Sequence, residues 1–118
     1  MRPLFHPSVK EITVEGILYA LSDPVRVRIF AGIRKAESAK TCACFLKIDD
    51  RNIPKATLSQ HFKILREAGL IRSERCGVEM HNTTRCDEIR PRFGKMVASI
   101  LEAYGEQTGK RVGTKRKR

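Results

Sequence analysis

The stretch PKATLSQHFKILREAGL at residues 54–70, with IRSERCGVEMHNT behind it at 71–83, decides how this chain folds. Proline suits the head of a helix and glycine its end, so Pro54 and Gly69 predict the bounds of one helix. Leu58, Phe62 and Leu65 recur at four and three residues, which makes one face core. At about 100° per residue, the opposite face carries Ala56, Ser59, Gln60 and Lys63, with Lys55 and Arg66 at its edges. His61 falls toward the edge of the apolar face, and a packed, hydrogen-bonded role suits it better than a base contact. Behind Gly69, Ile71 alternates with Ser73 and Val78 with Met80, which predicts two short strands around Cys76-Gly77.

Working outward, ITVEGILYALSD places Ile17, Leu18 and Leu21 at helical spacing. Asp23 followed by Pro24 is N-cap and first-turn chemistry, so one helix ends near Leu21 and a second begins at Pro24. Val25, Ile29 and Ile33 give the second an apolar stripe, ending near Ala36. In SAKTCACFLKI, residues 38–48, Cys42, Phe45 and Leu46 fit a short helix with a buried face, and DDRN after it is a turn. Near the far end, Ile89, Phe93, Met96, Val97, Ile100, Leu101 and Tyr104 repeat at helical spacing, and Pro91 predicts that this helix starts close to it. The order is helix, helix, short helix, long helix, hairpin, helix. That is a mainly α fold with a small β-hairpin, the winged helix-turn-helix arrangement, whose polar-faced helix suits a DNA major groove. The expected divisions are an N-terminal arm at 1–11, the winged helix-turn-helix domain at 12–106, and a basic, disordered tail at 107–118.

A chain of 118 residues with 41% apolar and 31% charged residues has room for one core. No apolar run approaches the ~18 residues that span a bilayer, and MRPLFHPSVK has no secretory h-region. The expected setting is the cytoplasm, with no membrane partner. There Cys42, Cys44, Cys76 and Cys86 are thiols rather than a disulfide framework. Nucleophile-elbow, phosphate-loop, HExxH and paired-carboxylate patterns are absent, so an enzyme is not expected, nor a cofactor. The net charge of +11 suggests a polyanion partner, although residues 110–118 hold six of those charges and leave the rest at +5. That tail is either a solubility tail or a phosphate-binding arm.

On the groove-facing helix, Thr57, Ser59 and Gln60 can reach base edges, and Gln pairs in bidentate fashion with adenine. Lys55, Lys63 and Arg66 are better placed for phosphates, with Arg72 and Arg75 as wing candidates. Ala56 completes the face.

LSDPVRVRIF at 21–30, TLSQHFKILREAGLI at 57–71 and the Gly77 hairpin resemble the ArsR/SmtB family of bacterial repressors, across roughly residues 12–104. The resemblance implies a homodimer through the first and last helices, a palindromic double-stranded DNA operator, and release when an effector binds. Arsenic-sensing members carry C-V-C-D-L-C, whereas this chain has C-A-C-F-L-K from Cys42 to Lys47. Two thiols match, and Lys47 stands at the third. Zinc-sensing members use Asp and His along the final helix, but residues 87–106 contain no His. His6 and His81 are isolated and are not expected as ligands. Other members sense oxidants through close thiols.

Three readings of Cys42 and Cys44 follow. They are a redox pair, activated by Lys40 and Lys47, whose disulfide would distort the helix carrying them. They are ligands of a thiophilic metal or metalloid. Or they are small buried residues. The first is preferred, with no resident metal, and a general basic nucleic-acid-binding protein without a sensor is a further alternative.

Overall fold

In the computed structural model, which describes residues 4–36, 40–41, 47–48 and 51–109, the first two helices meet as the sequence predicts. They are α1 (Val14–Ala20) and α2 (Pro24–Lys35). Asp23 Oδ1 accepts from the backbone N–H groups of Val25 at 2.7 Å and Arg26 at 3.3 Å. Pro24 takes the first turn, where its missing N–H costs nothing. Such a cap stabilises by about 1 kcal/mol.

The helix α3 (Lys55–Glu67) buries Leu58, Phe62 and Leu65. It ends in a Schellman motif, with Leu70 N–H donating to Leu65 C=O at 3.1 Å and Gly69 N–H to Arg66 C=O at 3.1 Å. Gly69 has φ +89°, and a Cβ there would overlap the side chain of Ile12. Position 69 is therefore restricted to glycine by backbone and by space.

The wing follows at once. Strands β4 (Ile71–Cys76) and β5 (Glu79–Thr84) pair antiparallel from Ile71↔Thr84 to Cys76↔Glu79. Gly77, with φ +65°, opens the two-residue turn. Leu70, Ile71 and Phe62 join Ile17, Ile29, Phe30, Ile89 and Leu101 in one core. Full burial of each such side chain contributes about 1.5–3 kcal/mol.

Two elements differ from expectation. The helix predicted over 38–48 is not formed at the described residues there. Lys40–Thr41 (β1) pairs with β5, and Lys47–Ile48 (β2) pairs with Arg51–Asn52 (β3). Without β1, the outer edge of β5 would show unpaired N–H and C=O groups, and a short apolar run has no periodicity strong enough to resist pairing. Cys42, Phe45 and Leu46 lie outside the described residues. So do Asp49 and Asp50, although the pair Ile48↔Arg51 brackets the turn expected at DDRN. The wing thus becomes a three-stranded sheet in the order β1-β5-β4.

The last helix, α4 (Cys86–Thr108), starts well before Pro91 and contains it. Asp87 and Glu88 favour the positive N-terminus. Buried Ile89 and the Arg85–Glu88 pair at 2.9 Å, whose arginine is buried, support this leading turn despite the hydrogen bond that Pro91 forgoes.

Gly69→Ala is expected to destabilise the fold by about 1–3 kcal/mol, through strained φ and overlap with Ile12. Urea unfolding checks this, and an unchanged midpoint would mean that the cap relaxes freely.

Candidate nucleic-acid interface

The core stripe of α3 leaves its other side in solvent. Lys55, Ala56, Thr57, Ser59, Gln60 and Lys63 are all exposed. This one surface combines short polar groups, an amide and two ammonium groups. It can offer hydrogen bonds to base edges and positive charge to the phosphates beside them.

The arginines behave differently from one another. Arg66 is half-buried and donates to Ser73 Oγ at 3.2 Å, so it ties α3 to the wing. Ser73 Oγ in turn donates to the buried Asn82 Oδ1 at 2.7 Å, which joins β4 to β5. Arg72 is exposed but pairs with Glu88 Oε2 at 2.9 Å. Glu88 also receives Arg85 at 2.9 Å. Hydrogen bonds from Arg85 and then Arg72 hold its carboxyl well below the usual range, at about 2. Arg75 is exposed near the hairpin tip.

His61 is buried on the inner side of α3, where Arg26 Nη1 approaches its Nδ1 at 3.4 Å. Burial lowers its pKa below 6.5; Asp23 opposes the shift and Arg26 adds to it. A neutral imidazole with Nδ1 as acceptor fits a cation on that side. Arg26 is itself only 6% exposed. It donates from Nε to Ala20 C=O at 2.7 Å and from Nη2 to Tyr19 C=O at 3.0 Å. Its guanidinium also lies 5.2 Å from the centroid of the Tyr19 ring.

Sequence reading missed Arg26, Ser73, Asn82 and His6 as parts of this scaffold. Only the Asp23-x-x-Arg26 spacing gave a local sign of one. Cys42 and Cys44 lie outside the described residues. Cys76 is a free, exposed thiol at the end of β4, and Cys86 a free, half-buried one at the head of α4. Among the described residues, no group of three or more His, Cys, Asp or Glu could hold a metal ion. Among them too, no helix is long and apolar enough to cross a membrane.

A family model described as a helix-turn-helix domain matches residues 21–74. Over 64 residues, 54% of this chain, the sequence is 38% identical to the HTH-type transcriptional repressor SmtB of Mycobacterium tuberculosis, and covers 44% of that protein. Over 61 residues, 52% of this chain, it is 34% identical to the uncharacterized HTH-type transcriptional regulator MJ1325 of Methanocaldococcus jannaschii, and covers 65% of that protein. The chain therefore spans less than two thirds of the length of either relative. The crystal structure of M. tuberculosis Rv0081 superposes with a TM-score of 0.57 at 20% identity, over 80% of this chain and 90% of that one. At that identity the likeness is one of fold.

Arg26→Ala is expected to cost about 2–4 kcal/mol, since it removes charged hydrogen bonds from the buried Ala20 carbonyl and the part-buried Tyr19 carbonyl. Thermal or urea unfolding measures it. A loss below about 0.5 kcal/mol, the level of an ordinary surface change, would show that the guanidinium is not a structural tie.

Proposed function

We propose that this chain is a helix-turn-helix regulator of the ArsR/SmtB type, which represses transcription by holding a palindromic operator as a homodimer and releases it when Cys42 and Cys44 are oxidised. One observation carries the DNA side: the exposed face of α3 gathers Thr57, Ser59 and Gln60 between Lys55 and Lys63. Gln60 and its hydroxyl neighbours read bases, and the two lysines hold phosphates, with Arg75 of the wing reaching the adjacent backbone. The exposed tip of the wing suits such a contact.

The dimer is supported by apolar surface that one copy leaves uncovered. Val14 and Leu18, four residues apart on α1, are 47% and 51% exposed, and Tyr19 is 61% exposed. Met96, Ile100 and Tyr104 of α4 are only partly buried. Pairing through these two helices would set two copies of α3 against half-sites one helical turn, about 34 Å, apart.

The thiol switch is supported by sequence and by what the segment connects. Cys42 and Cys44 stand between Lys40 and Lys47, and cations favour the reactive thiolate. The chain leaves β1, which pairs with the wing, and reaches α3 through β2 and β3. Hydrogen peroxide would take the two thiol protons and two electrons, leaving one disulfide and two waters. The new bond would tighten the link between wing and recognition helix, changing their relative placement. The setting proposed for this chemistry is the reducing cytoplasm, where oxidation is a signal rather than the resting state.

Two variants test these assignments on a duplex selected from a random pool. Gln60→Ala is expected to weaken binding by about 1–3 kcal/mol in an electrophoretic or anisotropy titration. Unchanged affinity would move base reading elsewhere. The double change Cys42→Ser with Cys44→Ser is expected to bind as the reduced protein does and to stay bound under peroxide. Release of the double variant by peroxide would place the sensor at Cys76 or Cys86, and release of the native protein by arsenite or zinc alone would make it a metal sensor.

A further inference from the structure

The N-terminal arm makes a contact that the DNA-binding reading does not use. His6 Nε2 accepts from the backbone N–H of Ser73 at 3.0 Å, across 67 residues of sequence. Ser73 sits in β4, the edge strand of the sheet and the one that carries Arg72 and Arg75. The same residue receives Arg66 of α3 and bonds Asn82 of β5 through its hydroxyl. The arm is secured beyond this point, on the C-terminal side of His6. Arg85 Nη1 donates to Pro7 C=O at 2.7 Å, Arg92 Nη1 donates to Val9 C=O at 2.9 Å, and Ile12 is buried at Gly69.

We propose that His6 is a positioning residue for the wing, latching the arm to the free edge of β4 so that Arg75 and α3 meet the same duplex. Ser73 is only 3% exposed, so without His6 its N–H would be left buried and unpaired unless the strand shifted. The latch therefore holds the hairpin against α3 at the residue where both already meet. The role in binding rests on the wing touching DNA; the latch itself does not.

The chemistry makes this latch sensitive to acid. Nε2 accepts only while the imidazole is neutral, because protonation sets an N–H against the Ser73 N–H. The charged groups around it are Arg66 from α3, Arg72 from β4 and Arg85 before α4, with Glu88 paired to the last two. Burial lowers the pKa of His6 below 6.5 and the three arginines lower it further, against a hydrogen bond with the Leu4 backbone. The sign follows. The latch is fully closed above about 6.5, the unfolded-chain value, and opens as pH falls from there through the lower folded value. Added histidine charge would by itself strengthen attraction to phosphates, so an acid-induced loss of affinity runs against the general electrostatic trend.

The test compares native protein, His6→Ala and His6→Gln, whose Oε1 stands near the position of Nε2 but does not titrate. Hydrogen exchange at the Ser73 amide reads the latch, and affinity for the selected duplex in a pH series from 7.5 down to the acid limit of the fold reads its effect. At pH 7.5, exchange is expected to be about three- to tenfold faster in His6→Ala, the worth of one hydrogen bond, and near native in His6→Gln. As pH falls from 7.5 through the folded pKa of His6, the native protein is expected to lose about three- to tenfold more affinity than His6→Gln. Native protection of Ser73 in His6→Ala would overturn the latch. An equal acid response in native protein and His6→Gln would overturn its titration at His6. A working latch with unchanged duplex affinity in every variant would overturn the positioning role. Failure of the native protein to bind any duplex at pH 7.5 would instead overturn the DNA-binding reading.

Discussion

The placement of α3 depends on one buried cation. The guanidinium of Arg26 reaches the Tyr19 and Ala20 carbonyls at the end of α1 and faces His61 on α3. Carbonyls at a helix C-terminus lack intrahelical partners and carry partial negative charge, so a cation is well matched to them. Burial of a charge is tolerable only when its donors are used, and here all three nitrogens of the guanidinium face an acceptor. Asp23 adds a longer contact of 3.8 Å to the same group while capping α2. The corner between α1 and α2 is thereby joined to the inner face of the helix whose outer face is polar.

A second set of bonds fixes the wing to that helix. Arg66, Ser73 and Asn82 link α3, β4 and β5 in sequence, and Glu88 draws Arg72 toward the head of α4. These pairs divide the basic residues by role. Arg66 and Arg72 already have protein partners, whereas Lys55, Lys63 and Arg75 stand at exposed positions beside the polar face. A rigid support under an exposed polar face is what directional contacts to base edges would require.

Local chemistry explains what was legible beforehand. The Asp23-Pro24 start, the Gly69 stop and the Gly77 turn each depend on neighbours within a few residues, and each stands where the sequence predicts. The stripe of Leu58, Phe62 and Leu65 likewise exposes the expected face opposite it. What escaped depends on distant partners. No local pattern pairs His6 with Ser73, or Arg26 with His61. The segment at 38–48 misled for a related reason: its apolar residues suit a helix, but an available edge on β5 recruited Lys40 and Thr41. Pro91 misled because its local penalty is outweighed by Ile89 burial and the Arg85–Glu88 pair.

In the proposed repressor the polar face of α3 reads a particular DNA sequence rather than any polyanion. The basic run at 110–118 makes the distinction necessary, since charge alone would bind nucleic acid of every sequence. The most direct measurement is the ratio of affinities, at physiological salt, for a palindrome selected by the reduced protein and for the same base pairs in scrambled order. A ratio of at least about 10³ is expected, the lower end for specific regulators. Equal affinities for the two duplexes would contradict it.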